Sequence, residues 1–338
     1  MTEAAGRGPD LPTLESVAAR AGVSRATASR VVNGSSVVSP RVRRAVEAAV
    51  AELGYLPNRA ARSLATRRAG SVALIVSEPA ELVLADPFLS SMIWAVGRAL
   101  AGSDIEMVLK MVGSAAERVG LDRFLDGGPV DGVILVSFHD DHPPVRSVAQ
   151  ARFPAVVLGR PLRGASPDMA YVDADNAEGA ARAVRHLAAG GRRRIATIAG
   201  PQEMAAGVDR LDGFRRELQG PPVVAFGDFT LHQGEAAMTE LLDRAPDLDA
   251  VFAASDLMAL GAIRALRASG RAIPDDVAVI GFDDAPPAKL ADPSLTTVRQ
   301  PLKAMAQALV DSLLTQIGGG AAGSPVTLSP ELVIRESA

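Results

Sequence analysis

Short apolar runs alternate with longer segments of helical periodicity from residue 71 to residue 290, and this alternation constrains the fold more than any other feature. The apolar runs predict strands at 72–77, 105–112, 131–137, 155–159, 195–199, 223–226, 250–254 and 277–282. The segments between them predict helices at 88–100, 115–126, 177–189, 208–218, 234–243 and 257–268. Near-continuous apolar strands that alternate with helices are typical of parallel sheets covered on both faces. We therefore predict two doubly wound α/β lobes, spanning 70–165 and 170–290, with a final strand at 326–328.

The net charge of −4 conceals an uneven distribution along the chain. Residues 1–68 hold 11 arginines, no lysine and 5 acidic residues, which gives this segment a charge of +6 and leaves −10 for the remainder. A basic segment joined to an acidic body is typical of a DNA-binding module attached to a domain that does not bind DNA. A solvated basic surface would have the same charge, so the residue pattern within the segment has to separate the two interpretations.

The basic segment carries the spacing of a helix-turn-helix. Thr13 is a good N-cap, and the apolar residues after it recur at helical spacing until Gly22, whose backbone freedom suits a tight turn. Ser24 then caps a second helix that runs to Val32. In this motif the second helix enters the major groove and reads base edges with its N-terminal residues. An ordinary surface helical hairpin has the same periodicity but does not explain arginines concentrated on one face.

We predict that the second helix packs Ala28, Val31 and Val32 on the core and turns its other residues toward DNA. Arg25 is the preferred base reader because a guanidinium can bind guanine O6 and N7 together, and Arg30 could read a base or hold a phosphate. The other DNA contacts predicted here are Ser24, Ala26, Thr27, Ser29 and Asn33. A third helix begins at Ser39-Pro40 and ends at Gly54, and Asn58 can cap a short helix through Ala65.

The segments TLESVAARAGVSRATASRVVNG (13–34) and VSPRVRRAVEAAVAELGYLPNRAARSLA (38–65) closely resemble the lactose repressor (LacI/GalR) family of transcriptional regulators. The resemblance implies a DNA-binding domain at 1–57, a hinge helix and linker at 58–69, and an effector-binding and dimerisation domain at 70–338. In that family a hinge-helix leucine enters the minor groove and kinks the duplex, and Leu64 occupies that position. The remaining expected DNA contacts are Thr13, Tyr55, Asn58, Arg59 and Arg62.

The resemblance continues through VDRLDGF, VFAASDLMALGAIRALRASG, IPDDVAVIGFDD and LTTVRQP, and it implies the two-lobed fold of type I periplasmic binding proteins. Arg210 and Asp283 match family residues that hydrogen-bond the effector, although either could instead be a structural ion pair or cap. Phe229 matches an aromatic that packs on the ligand. Ser255 and Gly159 depart from the lactose-type pattern, which leaves the identity of the sugar open. The other candidate effector contacts are Asp86, Phe88, Ser137, Ser255, Asp256 and Gln300.

Other function classes find less support in the sequence. No Rossmann fingerprint, P-loop, nucleophile elbow or HExxH motif is present, so we predict that the protein is not an enzyme. A periplasmic solute-binding protein would have the same body but would require a signal peptide and no DNA-binding segment. A regulator released by a small sugar or polyol is the expected function. Corepression by a purine or nucleoside shares the architecture and is the alternative.

The sequence also predicts the protein's partners. We expect a homodimer on double-stranded operator DNA, because helix-turn-helix proteins read paired half-sites and Glu336-Ser337-Ala338 follow no leucine heptad. We expect no cofactor, because the chain has no cysteine and the histidine–aspartate run at 139–142 is interpreted as a solvated loop rather than a metal site. No membrane segment or signal peptide is predicted, so the expected location is the cytoplasm. Apolar residues at helical spacing, including Trp94, are expected in the core.

Overall fold

The structure is a computed structural model in which the described residues are 12–32, 37–55, 68–128, 130–137, 154–162, 169–218 and 220–338. The chain divides into two units, Met1–Gly70 and Ser71–Ala338. Across the described ranges, no helix is both long and apolar enough to cross a membrane. Because the predicted hinge helix at 58–65 and the run at 139–142 lie outside these ranges, they stay predictions.

The first unit contains the three predicted helices, α1 (Leu14–Ala21), α2 (Arg25–Val32) and α3 (Pro40–Leu53). The Thr13 hydroxyl accepts a hydrogen bond from the Ser16 amide at 3.2 Å, and that of Ser24 accepts one from the Thr27 amide at 3.2 Å. Each cap satisfies an amide that the first turn of its helix leaves unpaired, which explains why the helices begin there. Gly22 has a φ of +66°, the left-handed conformation that the predicted turn requires.

A small apolar core holds these three helices together. Ala28 and Val31 of α2 are buried in it, as predicted, whereas Val32 is half-buried at its edge. The other buried members are Val17, Ala18, Val46, Ala49 and Tyr55. Burial of the α2 stripe fixes which face of that helix remains exposed.

The second unit opens with a six-stranded parallel sheet. Its order is β11-β5-β4-β3-β1-β2, where the strands are β1 (Ser71–Val76), β2 (Glu106–Met111), β3 (Gly132–Val136), β4 (Ala155–Leu158), β5 (Ala170–Ala174) and β11 (Val326–Leu328). The accompanying helices are α4 (Ala80–Ala85), α5 (Pro87–Leu100), α6 (Ala115–Asp126) and α12 (Leu302–Ile317). Buried apolar clusters cover both faces of the sheet, as expected for parallel strands. We call this part lobe 1.

Lobe 2 repeats the architecture around a second six-stranded sheet. Its order is β12-β10-β9-β8-β6-β7, where the strands are β6 (Ile195–Ala199), β7 (Val223–Phe226), β8 (Ala250–Ala253), β9 (Ala278–Asp283), β10 (Thr296–Arg299) and β12 (Glu331–Val333). Only β12 pairs antiparallel among the described strands of this sheet. The helices are α7 (Asn176–Ala189), α8 (Ala205–Glu217), α9 (Leu231–Arg244), α10 (Asp256–Ala268) and α11 (Pro286–Leu290). Two apolar clusters again cover the sheet.

The chain passes between the lobes at three short crossovers. They lie between β5 and α7, between β10 and α12, and between β11 and β12. Three short connections hold the carboxyl ends of the main strands of both sheets near one junction. In open sheets of this type, that junction is where ligands bind.

The predicted two-lobed α/β fold is therefore confirmed, with three corrections. The prediction placed residues from 170 onward in lobe 2, but β5 pairs in parallel with β4 and belongs to lobe 1. The prediction lacked the strands β5, β10 and β12 and the helices α4, α11 and α12, although α12 spans 16 residues. Trp94 was expected in the core but is 69% exposed, because the buried face of α5 follows Leu89, Met92, Val96 and Leu100.

Candidate ligand-binding cleft and DNA interface

A cleft lies between the lobes at the carboxyl ends of their strands. Its empty space, counted out into the open mouth, is about 870 Å³. All nine residues predicted from the sequence as effector contacts line it, namely Asp86, Phe88, Ser137, Arg210, Phe229, Ser255, Asp256, Asp283 and Gln300. The first three come from lobe 1, the next five from lobe 2, and Gln300 from a crossover. Residues up to 214 positions apart in the chain thus meet in one cavity.

Local backbone geometry positions several of these side chains. Asp86 caps α5 by accepting a hydrogen bond from the Phe88 amide at 2.8 Å. Ser255 caps α10 by accepting one from the Met258 amide at 3.3 Å. Ser137, Phe229 and Asp283 have φ values of +49°, +68° and +115°. These three are among four non-glycine residues with positive φ in the described chain. Such strained backbone tends to cluster at functional sites, where the surrounding packing holds it in place.

Arg210 lies at the centre of the cleft floor, with only 5% of its surface exposed. Its Nε donates to Asn176 Oδ1 at 2.9 Å, and its Nη1 donates to the Ala254 carbonyl at 2.6 Å. Its Nη2 lies 3.5 Å from Asp283 Oδ1. Burial lowers the pKa of the guanidinium, and the surrounding carboxylates oppose that shift. The remaining N–H capacity of this fixed, planar group is available to hydroxyl acceptors on a ligand.

Asp283 ends β9 and faces Arg210 in the same low-dielectric space. Gln300 Nε2 donates to Asp283 Oδ1 at 2.7 Å. Burial raises the pKa of Asp283 to about 7, although Arg210 and the Gln300 hydrogen bond favour the ionised form. Burial also raises the pKa of Asp256, whose Oδ1 and Oδ2 accept hydrogen bonds from the Thr297 hydroxyl at 2.5 Å and the Ala285 amide at 2.7 Å. Asp256 thus braces the cleft wall, and Asp283 is the better placed ligand acceptor.

The Phe229 ring forms an aromatic wall on the lobe 2 side of the cleft, and the buried Phe282 ring lies behind Arg210. The Arg210 guanidinium carbon lies 5.7 Å from the Phe229 ring centroid and 3.7 Å from that of Phe282. A methyl group added at Gly200 would meet the Phe229 ring at 2.5 Å, so the missing side chain at Gly200 makes room for that ring. A flat apolar face beside hydrogen-bonding groups is the arrangement that sugars, with apolar ring faces and polar edges, require.

The cleft also contains polar residues that the sequence analysis missed. Arg160 follows β4, Asp173 lies in β5, and Asn176 begins α7; all three line the cavity. Asn176 Nδ2 donates to Asp173 Oδ1 at 3.0 Å, so it links the lobe 1 strand to Arg210. Burial raises the pKa of Asp173 to about 6. The rule that ligands bind at strand carboxyl ends would have identified Arg160, and also Asp173 had β5 been recognised.

The exposed face of α2 in the first unit carries the predicted base-reading residues. Ser24, Arg25, Ala26 and Arg30 are exposed, and Thr27 and Ser29 are half-buried beside them. Arg25 Nε forms an ion pair with Glu15 at 2.5 Å, and both side chains remain largely exposed. Thr13 is exposed, whereas Tyr55 is buried in the core of this unit, where it packs the helices. The other predicted DNA contacts, Asn33, Asn58, Arg59, Arg62 and Leu64, lie outside the described residues.

A helix-turn-helix unit followed by a two-lobed α/β unit with a ligand-sized cleft defines a DNA-binding regulator of transcription. The family model described as bacterial regulatory proteins, lacI family, matches residues 13–58. A model described as periplasmic binding protein-like domain matches residues 184–338. The transcriptional regulator CelR of Thermobifida fusca is 50% identical over 334 residues, covering 96% of this chain and 98% of that protein.

Two solved structures agree with this assignment. A CelR–cellobiose complex has a TM-score of 0.78 and 47% identity, and the match covers 97% of this chain and 100% of that one. A lac repressor dimer bound to operator and an anti-inducer has a TM-score of 0.81 and 30% identity, and the match covers 96% of this chain and 98% of that one. The chain belongs to the lacI family of bacterial transcriptional regulators.

Proposed function

We propose that this protein is a repressor that binds a pseudopalindromic operator as a homodimer and is released when a small neutral sugar occupies the cleft. The observation that carries the proposal is the convergence of Arg210, Asp283 and Phe229 in one enclosed cavity between the lobes. Cellobiose is the first candidate effector. The support for it is the 47% identity to a regulator solved as a cellobiose complex.

The chemistry of the cleft supports a neutral, hydroxyl-rich ligand. Four carboxyl groups, those of Asp86, Asp173, Asp256 and Asp283, line the cleft together with the guanidinium groups of Arg160 and Arg210. Carboxyl groups accept hydrogen bonds from hydroxyl groups, and a guanidinium donates to them. An anionic ligand such as a sugar phosphate would add negative charge to a cleft in which burial already raises the pKa of all four carboxyl groups, and the added repulsion is unfavourable. A neutral sugar satisfies the same groups without that repulsion.

The α2 face supports sequence-specific DNA binding. Ser24, Arg25 and Ala26 lie at the N-terminal end of α2, the part of a recognition helix that reaches base edges. Arg25 is paired with Glu15 at an exposed site, and such pairs contribute little stability, so guanine can compete for the guanidinium. We infer that Arg25 exchanges the Glu15 carboxylate for a base edge on the operator.

Exposed apolar side chains support assembly into a dimer. Trp94 of α5 in lobe 1 and Leu290 of α11 in lobe 2 are 69% and 85% exposed. Tryptophan is enriched among the residues that contribute most to protein interfaces, and Leu290 adds a second exposed apolar side chain. Two copies joined through the body would place two helix-turn-helix units on successive half-sites, which is the arrangement a pseudopalindrome requires. We propose that both residues lie in the homodimer interface.

Ligand control then follows from linkage. A sugar that touches Asp86 and Ser137 from lobe 1 and Arg210 from lobe 2 binds most tightly to one lobe separation, and it favours whichever body state has that separation. If the operator favours the other state, the sugar and the operator weaken each other's binding by the same factor.

A ligand screen combined with DNA footprinting tests the proposal. The full chain is heated with neutral disaccharides, monosaccharides, sugar phosphates and nucleosides, and the hits are added to footprinting reactions on promoter DNA. We expect cellobiose or a related neutral sugar to raise the Tm and to remove a two-half-site footprint. If a nucleoside instead raised the Tm and strengthened the footprint, the protein would be a regulator activated by a corepressor rather than one released by a sugar. The absence of any protected site would refute the repressor assignment.

A further inference from the structure

An ion pair joins the two lobes at the wall of the cleft. Arg160, which follows β4 of lobe 1, donates from Nε to Asp209 Oδ2 at 3.0 Å and from Nη2 to Asp209 Oδ1 at 2.5 Å. Asp209 lies on α8 of lobe 2. The two side chains are 36% and 19% exposed, so the pair is partly shielded from solvent. A two-point pairing of guanidinium and carboxylate fixes both distance and orientation, and here it fixes the separation of the lobes.

The backbone on either side of this pair is tied to the first crossover. The Arg160 amide donates to Asp173 Oδ2 at 2.8 Å, and the other oxygen of Asp173 accepts from Asn176 at 3.0 Å. Asn176 in turn accepts from Arg210, the direct neighbour of Asp209 on α8. A closed circuit therefore runs from Arg160 through Asp209 and Arg210 to the crossover and back. Movement of one lobe relative to the other strains the two links that join them, the Arg160–Asp209 pair and the Asp173–Asn176 hydrogen bond, and the contacts within each lobe couple these two links.

We propose that the Arg160–Asp209 ion pair is an interlobe latch that holds the cleft in its ligand-binding geometry before the effector arrives. The identity of the ligand in this inference rests on the proposed function, whereas the role of the ion pair in holding the lobes does not. With the latch intact, part of the free-energy cost of bringing the lobes together is already met in the free protein, so the effector binds more tightly. Arg160 is thus a positioning residue that acts through Asp209, and its own contact with the sugar is not required.

The latch predicts a specific response to salt. A partly exposed ion pair weakens as the screening length falls from about 10 Å at 0.1 M salt to about 3 Å at 1 M. High salt should therefore weaken the pair in part in the wild-type protein, because a partly shielded pair is screened less than an exposed one, and it should have little further effect once the pair is removed. A side chain that merely filled space at this position would show no such dependence.

Two measurements on the full chain test the proposal. The first is hydrogen–deuterium exchange without ligand over residues 172–178 and 299–304, which cover two crossovers. Asp209→Asn should speed exchange there several-fold at low salt, and 1 M NaCl should raise the rate of the wild type toward that of the variant while leaving the variant nearly unchanged. Asp247→Asn is the matched control, because it breaks an exposed ion pair with Arg194 that lies wholly within lobe 2. Equal exchange in wild type and Asp209→Asn would overturn the latch.

The second measurement is calorimetric titration with cellobiose of the wild type, Asp209→Asn, Arg160→Gln and the double variant. Each single variant should bind about three- to tenfold more weakly, and the double variant no more weakly than the worse single, because all three lack the same pair. If Arg160→Gln lost far more affinity than Asp209→Asn and the losses added, direct ligand contact by Arg160 would replace the latch. Failure of the wild type to bind cellobiose would refute the proposed effector, and the exchange measurement would still decide the latch.

Discussion

Arg210 Nη2 lies 3.5 Å from Asp283 Oδ1, and both side chains are almost completely enclosed by protein at the floor of the cleft. Asn176 accepts a hydrogen bond from Arg210, and Gln300 donates one to Asp283. These two residues stand at two different crossovers. A ligand that hydrogen-bonds Arg210 or Asp283 therefore competes with groups that connect the lobes. This relationship places two predicted effector contacts, Arg210 and Asp283, and two of the crossovers between the lobes in a single hydrogen-bonded network.

Replacing Arg210 with lysine should separate effector binding from DNA binding. Lysine keeps the positive charge that the buried carboxylates require but loses the planar set of donors that reaches Asn176, Ala254 and Asp283 together. We expect sugar affinity to fall by at least tenfold while operator affinity without sugar stays within twofold of wild type. Calorimetry and fluorescence anisotropy measure the two affinities. Unchanged sugar binding would remove Arg210 from the site.

Gly200→Ala should disturb the aromatic wall without touching any polar contact. The added methyl group would meet the Phe229 ring at 2.5 Å, and this ring is held by a backbone with a φ of +68° and has little freedom to move. We expect weaker sugar binding of the same order as that of Phe229→Ala. Gly120→Ala in α6 is the matched control, because nothing lies within 4 Å of its added methyl group. A Gly200→Ala protein with wild-type sugar affinity would argue against Phe229 as a ligand platform.

Arg25→Ala should weaken operator recognition and leave the body intact. A bidentate arginine–guanine contact contributes about 1–3 kcal/mol of discrimination, and the proposed dimer would lose one contact in each half-site, so operator affinity should fall about 30-fold or more. Glu15→Gln removes the ion pair but keeps the guanidinium, and we expect it to bind operator at least as tightly as wild type. Electrophoretic mobility shifts with specific and scrambled DNA measure both effects. Equal losses on the two DNAs would make Arg25 a phosphate contact.

Asp283 should make the body less stable as the pH rises. Its pKa is about 7 in the folded protein and near its ordinary value of 3.8 in the unfolded chain, so the folded state holds the proton more tightly. The stability it contributes is complete at acid pH and is lost as the pH rises from 3.8 through 7. Urea unfolding between pH 6 and pH 8, followed by the fluorescence of Trp94, the single tryptophan, reports on the body. Asp283→Asn should shrink the decline, and an unchanged decline would contradict the assigned titration.

Much of the architecture could be read from local patterns. The caps at Thr13 and Ser24, the turn at Gly22 and the alternation of strands and helices are set by neighbouring residues, and these predictions are confirmed. Sheet membership is different, because β5 joins lobe 1 through pairing with β4, and no local pattern reveals that partner. Helix α12 is also visible in local pattern, since Met305, Leu309 and Leu313 recur at helical spacing.

The candidate site, like the fold, could be predicted from the sequence only where it depends on local patterns or family segments. Residues that match family segments, such as Arg210 and Asp283, could be named from the sequence, and the structure brings all nine predicted effector contacts to one cavity. The Arg160–Asp209 pair could not be predicted, because it joins residues 49 positions apart on different lobes. Its geometry depends on how the two sheets face each other. Trp94 likewise shows that helical spacing identifies an apolar residue but not whether a partner chain or the core covers it.

Release of bound operator by sugar is the central claim, and one titration tests it most directly. A fluorescently labelled operator duplex is saturated with the wild-type protein, cellobiose is added, and anisotropy is followed in parallel with the Arg210→Lys variant. We predict that the wild-type complex dissociates in a saturable manner, whereas the variant complex persists to at least tenfold higher sugar concentration. A wild-type complex that remains intact at saturating sugar, or a variant that is released equally well, would contradict control of DNA binding through this cleft.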